Sequence, residues 1–283
     1  MEFRTLENLG IHELTDLFNR AFEEYFVKVN LTPEILAGKI MSEDILPDHS
    51  MGIFEEGKPV GFMLHAIRQV NNETIAYNAA TGVLKDYRGQ KATPKMYEQL
   101  IPLLRKKKVT KIELEVISEN TPAIKSYTSA GFKKVTKLEC FKGKPDAVEI
   151  NNAVEIHEMP APDFSILDTF RSWEPTWQNT SETIRKLDNV TVYGAYLNNE
   201  LTAYLAGDLQ RARILQFAVA PKLRRQKIGS TLFRSFYEKA GSEINTNNVN
   251  DPSGETQLFL EKTGLQHFLS QYKMELQLNA QQL

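Results

Sequence analysis

Apolar residues in the first part of the chain recur with two different periods. Residues 11–27 carry apolar side chains every three or four positions, which predicts a helix with one buried face. Residues 50–56 and 59–67 predict two strands of a hairpin around the turn Glu56–Gly57–Lys58. The apolar stretch 75–84 then predicts a central strand.

A long helix, a strand and a short helix are predicted next. Apolar residues at helical spacing follow Thr93 and Pro94, so we expect Thr93 to cap the helix and Pro94 to occupy its first position. Residues 111–117 alternate, which predicts a strand with Glu115 on the face opposite the apolar side chains. Residues 122–130 predict a short helix that stops at the glycine after it.

The second half of the chain repeats this order of elements. Residues 153–158 predict an opening strand, 190–197 and 201–206 a hairpin, and 212–219 a central strand. The helix that follows has an apolar residue at every fourth position: Ile228, Leu232, Phe236 and Ala240. The apolar pattern is interrupted by glycine, lysine, proline and aspartate near 143–152, which predicts the join between the halves.

Two segments of the halves also match residue by residue. Residues 79–93 and 215–229 each contain a valine, an arginine five positions later, and then a Gln-Lys pair. The two valines and the two arginines are both separated by 136 positions (219 − 83 and 224 − 88). The downstream glycines Gly131 and Gly264 are separated by 133 positions (264 − 131). A nearly constant offset indicates duplication of one domain of about half the chain.

Composition narrows the classes of function. The chain has 283 residues, of which 41% are hydrophobic and 25% charged, the balance of an ordinary soluble protein. The formal charge is −2, which excludes a strongly basic protein and gives no overall electrostatic reason to expect nucleic acid. The single cysteine, Cys140, excludes an intrachain disulfide and is expected to be buried.

The sequence also lacks the signals of several other classes. The five histidines have no metal-ligand spacing, so no metal is expected. The N-terminus has no apolar signal core, and no uncharged apolar run approaches the roughly 18 residues of a membrane span. We therefore expect a cytoplasmic protein without a membrane or nucleic-acid partner.

Each half predicts a strand, a short loop and then the N-terminus of a helix. Backbone N–H groups in the first turn of a helix lack partners, and the helix dipole adds to their positive field. A pyrophosphate group fits such a site. Residues 88–92 form the candidate loop of the first half and 224–229 that of the second. Each loop alone is equally compatible with an ordinary helix start.

A second group of residues points to a family. After the strand residues 114–117, the chain reads Asn120, Ala123, Tyr127, Gly131 and Phe132 with intervals of three, four, four and one. This segment resembles the GNAT acetyltransferase superfamily, which has the pattern Asn-x-x-Ala-x-x-x-Tyr-x-x-x-Gly-Phe at this place. The family's cofactor loop, Arg/Gln-x-x-Gly-x-Gly/Ala after a strand valine, resembles both loops. The resemblance covers most of both halves.

The resemblance implies an acetyl-CoA-dependent N-acetyltransferase with an α/β fold. We expect two tandem GNAT-like domains, 1–145 and 153–283, each a mixed twisted sheet flanked by helices. Acetyl-CoA would be the cosubstrate, and an amine on a small molecule or a peptide would be the acceptor. The implied cofactor-binding residues are Val83, Leu84, Arg88, Gly89, Gln90, Lys91, Ala92, Thr93 and Asn120 in the first half, and Val219, Arg224, Arg225, Gln226, Lys227, Ile228 and Gly229 in the second. The resemblance makes Tyr127 the proton donor to the departing thiolate; at helical spacing alone, Tyr127 would equally be a core aromatic.

Departures from the family pattern distinguish the two domains. In the first loop, Lys91 and Thr93 replace the two small residues of the pattern, and in the second, Lys227 replaces one. Leu260 in the second half stands where the first half has Tyr127. We therefore expect the first domain to be catalytic. The second would bind acyl-CoA without turnover, or shape the substrate cleft.

Several assignments stay open at the level of sequence. Residues 75–84 contain no carboxylate that could serve as general base, and Glu115 would face either the cleft or solvent. Trp173 and Trp177 either cover the second core or line an acceptor pocket. A non-catalytic acyl-CoA-binding or scaffold protein is the alternative function. A monomer and a homodimer are both compatible with two fused copies.

Overall fold

The computed structural model describes residues 1–278 and divides into two compact units. Unit 1 comprises Met1–Thr136 together with the chain from Tyr272 onwards, and unit 2 comprises Lys137–Gln271. Each unit consists of the β-strands of a sheet together with helices, so the predicted α/β class is confirmed. The domain ranges 1–145 and 153–283 stay a prediction about the extent of the two repeats.

Unit 1 begins with a short strand, two helices and then a meander of antiparallel strands. Its elements are β1 (Glu2–Thr5), α1 (Ile11–Ala21), α2 (Pro33–Glu43), β2 (Met51–Glu55), β3 (Lys58–Val70), β4 (Glu73–Val83), α3 (Ala92–Lys106), β5 (Val109–Ile117), α4 (Thr121–Ser129) and the start of β6 (Lys133–Gly143). Its strands are ordered β1-β2-β3-β4-β5, and the chain from Tyr272 follows β5. Strands β4 and β5 are parallel, and the pairs before them are antiparallel.

Unit 2 has the same plan with shorter helices at its start. Its elements are β7 (Val154–Glu158), α5 (Phe164–Leu167), α6 (Ser181–Ile184), β8 (Thr191–Leu197), β9 (Glu200–Asp208), β10 (Arg213–Val219), α7 (Ile228–Ala240), β11 (Ile244–Val249), α8 (Glu255–Lys262) and the start of β12 (Leu265–Gln277). Its strands are ordered β7-β8-β9-β10-β11, followed by β6 from Lys137. Strands β10 and β11 are parallel.

The two central parallel strands of each unit separate before they end. In unit 1 the ladder between β4 and β5 stops at Tyr77 and Glu113, whereas β4 runs on to Val83. In unit 2 the ladder between β10 and β11 stops at Ile214 and Thr246, and β10 also runs on. A register shift in the preceding antiparallel pair accompanies each separation. Each unit therefore has an opening beside one backbone strand, directly before its candidate loop.

The sheet of unit 1 has two chemically different faces. Apolar side chains of β5, among them Leu114 and Val116, pack with Leu100 and Leu104 of α3 in one buried core. Burying each such leucine stabilises the fold by about 1.5–3 kcal/mol. Because side chains alternate along a strand, Glu115 lies on the opposite face, as the alternation predicts.

The predicted boundaries of two helices of unit 1 are wrong. Helix α1 ends at Ala21 and does not continue to residue 27, because the chain turns at Phe22 and leaves Phe26 57% exposed. Thr93 does not cap α3, and Pro94 does not occupy its first position: Lys91 occupies the N-cap with a left-handed backbone, so the helix starts before both residues and buries Thr93 in its first turn.

Other predicted details are confirmed. The chain after α4 turns at Gly131, whose φ of 98° suits glycine at the end of a helix. The hairpin turn between β2 and β3 has positive φ at Glu56 and Gly57. Cys140 is buried in β6.

Candidate active site

The candidate loop of unit 1 is anchored by the side chain of Arg88. Its Nε donates to the backbone oxygen of Val83, at 3.0 Å, and its Nη2 donates to the backbone oxygen of Ala21, also at 3.0 Å. The guanidinium thus joins the end of β4 to the end of α1. Its donors are used on backbone oxygens, so the candidates for binding an anion are the backbone N–H groups in the first turn of α3, which lack partners within the helix.

Unit 2 contains the same arrangement. Arg224 Nε donates to the backbone oxygen of Val219 at 3.2 Å, and Nη2 donates to the backbone oxygen of Phe170 at 3.1 Å. Two arginines at equivalent positions therefore make equivalent backbone contacts. The sequence repeat predicts the arginines and their nearby valines; the second target of each arginine, Ala21 or Phe170, lies in a segment far away in the chain.

Both loops use left-handed backbone conformations at the same two positions. In unit 1 these are Gly89, with φ of 77°, and Lys91, with φ of 56°. In unit 2 they are Arg225, with φ of 65°, and Lys227, with φ of 60°. The two lysines thus hold the conformation that the glycine of the family pattern supplies, and the loop shape is kept despite the substitution.

We expect Lys91→Gly to raise the free energy of unfolding by up to about 1 kcal/mol. A side chain in the left-handed region costs about 1–2 kcal/mol, part of which glycine returns as extra freedom of the unfolded chain. Urea unfolding measures the change. The control is Lys95→Gly inside α3, which is expected to lower stability by about 1 kcal/mol. Equal losses in both variants would contradict the strain at Lys91.

Tyr127 lies at the opening between β4 and β5. Its side chain is buried and packs edge-on against Phe132, with ring centroids 5.7 Å apart. Burial raises the pKa of Tyr127 to about 12, although the side chain of Thr81 lowers it in part. Tyr127 is therefore a core aromatic that also keeps its proton throughout the neutral range.

Asn120 stands at the start of the helix that carries Tyr127. Its Oδ1 accepts from the backbone N–H of Ala123 at 3.2 Å, which caps α4. Burial raises the pKa of Tyr25, from the segment after α1, and the Asn120 side chain lowers it in part. The motif residue thus fixes the start of the helix that carries Tyr127.

Glu115 is a half-buried carboxyl on the second face of the unit 1 sheet. Tyr77 donates a hydrogen bond to it. Burial raises the pKa of Glu115 to about 7; the Tyr77 hydrogen bond and the charge of Lys273 lower it in part, and Glu113 raises it. A carboxyl that titrates near neutrality is suited to take a proton from an amine. The alternation along β5 predicts the face of the sheet on which Glu115 lies. Its hydrogen bond from Tyr77 and its burial depend on tertiary packing.

Unit 2 has a cavity of about 310 Å³ at its own candidate loop. Six of the seven predicted cofactor-binding residues of this half line it: Val219, Arg224, Arg225, Lys227, Ile228 and Gly229. Phe259, beside Leu260 of α8, also lines the cavity, and a Cβ built on Gly229 would lie 3.0 Å from its ring. Trp173 lines the cavity and donates to Thr256 at 3.0 Å. Trp177 is buried outside it.

Two further observations concern the chain between residues 1 and 278. Its histidine, cysteine, aspartate and glutamate side chains form no cluster of three or more that could hold a metal ion. Within the same range, no helix is long and apolar enough to cross a membrane.

The family follows from a comparison with known proteins. The model of the acetyltransferase (GNAT) family matches the chain twice, at residues 11–132 and 153–262. The chain belongs to the GNAT acetyltransferase family. The predicted resemblance is thereby confirmed for both halves. No curated protein matches this GNAT chain at a significant level.

Solved structures share the fold of this GNAT protein over nearly its whole length. One is a tandem GNAT protein from the clavulanic acid biosynthesis pathway, with a TM-score of 0.74 and 13% identity over 99% of both chains. A GCN5-related N-acetyltransferase from Sphaerobacter thermophilus has a TM-score of 0.71 and 12% identity over 98% of this chain and 96% of that one.

A third similar structure is a region of a larger protein. It is the glucosamine N-acetyltransferase region of a fungal multi-domain β-N-acetylglucosaminidase, with a TM-score of 0.73 and 14% identity. The match covers 97% of this chain and 38% of that one. Likeness at these identities concerns the fold, and it confirms two tandem GNAT-like domains.

Proposed function

We propose that this GNAT protein transfers an acetyl group from acetyl-CoA to an amine, either on a small molecule or as an exposed amino group of a peptide. We assign the chemistry to the domain at 1–145. The observation that carries the proposal is the buried side chain of Tyr127 on α4, the helix that follows β5, in the unit where the ladder between β4 and β5 ends before β4 does. A phenol there can protonate a thiolate that leaves at the opening.

In this proposal the backbone of residues 88–93 binds the pyrophosphate of acetyl-CoA. The support is the left-handed conformation of Gly89 and Lys91 and the N-terminus of the long helix α3. Arg88 is a positioning residue, since its side chain holds backbone oxygens. Asn120 caps α4, the helix that carries Tyr127.

Glu115 completes the proposed mechanism as general base. Its carboxylate takes a proton from the ammonium form of the acceptor, and the neutral amine then attacks the thioester carbonyl. The carbon–sulfur bond breaks, its electron pair goes to sulfur, Tyr127 gives that sulfur a proton, and the nitrogen that attacked loses its surplus proton to solvent. Both side chains then exchange protons with solvent, so the products are an amide and free CoA thiol.

The domain at 153–283 is proposed to bind acyl-CoA without turnover. The support is a cavity at a loop of the same geometry, combined with Leu260 in place of a tyrosine. Its lining by Phe217, Phe233 and Phe259 favours an apolar acyl or pantetheine chain. If unit 1 lacked turnover as well, the whole chain would be a non-catalytic acyl-CoA-binding protein.

Release of CoA thiol from acetyl-CoA tests the proposal. We expect release to depend on a primary amine when the protein is mixed with a polyamine, free amino acids and a lysine-containing peptide. The matched control is the same mixture with N-acetylated amines. Tight acetyl-CoA binding without amine-dependent release would favour the non-catalytic alternative.

A further inference from the structure

A short segment of unit 2 lies against the candidate loop of the same unit. It consists of residues 149–152, between β6 and β7, and is named here the strap. Glu149 Oε2 lies 2.5 Å from Lys227 Nζ, and Asn151 Nδ2 donates to the backbone oxygen of Gln226 at 3.1 Å. Both partners belong to the loop of residues 224–229. The strap therefore contacts the part of unit 2 that is proposed to bind acyl-CoA.

Asn151 fixes the strap in this position. Its backbone N–H donates to Thr231 Oγ1 at 2.9 Å, and Thr231 Oγ1 donates to the backbone oxygen of Lys227 at 2.8 Å. Its Oδ1 accepts from the backbone N–H of Ala153 at 3.0 Å. Because these hydrogen bonds hold the chain two residues away, Glu149 reaches Lys227 at a smaller cost in conformational entropy than a free segment would.

Lys227 is shared between the strap and the proposed acyl-CoA site. It lines the cavity of about 310 Å³ at the loop, and it also lines a second cavity of about 320 Å³ between the strap and the loop. The hydrogen bond from Lys227 and its charge lower the pKa of Glu149, so this carboxyl is ionised at neutral pH. A carboxylate beside the ammonium group weakens the attraction between that group and a phosphate.

The loop of the first repeat provides an internal comparison. Lys91 is the counterpart of Lys227 at the offset of 136 positions, and both residues have a left-handed backbone. Lys91 is exposed and makes no ion pair with any of residues 1–278. The left-handed lysine therefore keeps its place in the loop without an acidic partner, and Glu149 is not needed for the shape of the loop.

We infer that the strap is an autoinhibitory element in which Glu149 competes with the phosphates of acyl-CoA for Lys227. When acyl-CoA binds, the ion pair between Glu149 and Lys227 breaks, and the lysine pairs with a phosphate instead. Unit 2 therefore binds acyl-CoA more weakly than its loop would without the strap. This inference rests on the proposed function, in which unit 2 binds acyl-CoA.

The test is calorimetric titration with acetyl-CoA in an Arg88→Glu background, which leaves the proposed site of unit 2. Glu149→Gln removes the charge and keeps the size of the side chain, and we expect Kd to fall about three- to fivefold, the range for an exposed ion pair. In a Lys227→Gln background, Glu149→Gln is expected to change Kd less than about 1.5-fold, because no ion pair is left to break. The control is Glu200→Gln, an exposed glutamate at the start of β9, which should leave Kd unchanged.

The outcomes separate this inference from the proposed function. An unchanged or raised Kd in Glu149→Gln would overturn the autoinhibitory role and leave acyl-CoA binding by unit 2 in place. An equal fall of Kd in the Lys227→Gln background would overturn the competition for Lys227. Absence of binding with and without Glu149→Gln would overturn the proposed binding by unit 2 and the inference together. Urea unfolding shows whether each variant is folded.

Discussion

Tyr127→Phe is expected to lower kcat about 100- to 10,000-fold, the range for loss of a general acid, while acetyl-CoA affinity stays within about twofold. Burial raises the pKa of Tyr127 to about 12, so the phenol is protonated at every working pH and can donate. Phenylalanine keeps the ring that packs against Phe132, and removes only the hydroxyl. Thiol release gives kcat, and calorimetric titration gives the affinity.

The control for this variant is Tyr237→Phe, on α7 of unit 2. It removes a phenol hydroxyl from the same protein outside the proposed site, and we expect unchanged kcat. Unchanged turnover in Tyr127→Phe would remove Tyr127 from the mechanism. A matching loss of acetyl-CoA affinity would instead identify Tyr127 as a packing residue.

Glu115→Gln is expected to lower kcat/KM at pH 8 about 100-fold or more and to abolish its rise with pH. The carboxyl has a pKa raised to about 7, so in the wild type the basic form appears, and the rate rises, as the pH passes through about 7. Tyr77→Phe removes a hydrogen bond that lowers this pKa, which should shift the rise to higher pH. Glu98→Gln on α3 is the control and should keep the wild-type profile.

Unfolding of the Glu115→Gln variant gives an independent check of the raised pKa of Glu115. A folded-state pKa above the ordinary value of 4.5 means that the folded state holds the proton longer. Stability contributed by Glu115 therefore falls as the pH rises from about 4.5 to about 7. Glu115→Gln is expected to be more stable than wild type by about 1–3 kcal/mol at pH 8, with no such gain near pH 4. A stability loss at pH 8 would contradict a raised pKa for this half-buried carboxyl.

The two repeats show what local pattern can and cannot predict. The offset between the loops of residues 88–92 and 224–229 predicts the tandem architecture, because each loop follows a strand and precedes a helix within one short segment. Alternation predicts that Glu115 faces away from the apolar core. Neither pattern identifies the partners, since Tyr77 reaches Glu115 from another strand and Arg88 reaches Ala21 across 67 positions.

The predicted ends of helices α1 and α3 are wrong because a local pattern does not include the path of the surrounding chain. Apolar spacing extends past Ala21, but the chain after that residue turns instead of continuing the helix. Thr93 has a favourable capping side chain, but Lys91 adopts the left-handed conformation that begins the helix earlier. The hydrogen bond between Asn78 and Tyr97 joins segments that no short pattern connects.

We propose that two loops of one shape serve two different interiors, only one of which performs chemistry. The first repeat has the polar residues Asn78, Thr81, Tyr97 and Tyr127 where the second has the apolar residues Ile214, Phe217, Phe233 and Leu260. Arginines that make the same backbone contacts allow matched variants of the two loops, Arg88→Glu and Arg224→Glu. Each replacement breaks the anchor and adds a negative charge beside the proposed pyrophosphate site.

Calorimetric titration with acetyl-CoA of the wild type and these two variants, paired with thiol release, tests this claim most directly. We expect two sites in the wild type and one in each variant, with turnover lost in Arg88→Glu and kept in Arg224→Glu. Absence of binding by folded wild-type protein would contradict the account. So would turnover that survives Arg88→Glu and disappears in Arg224→Glu, because it would assign the chemistry to the unit without the tyrosine.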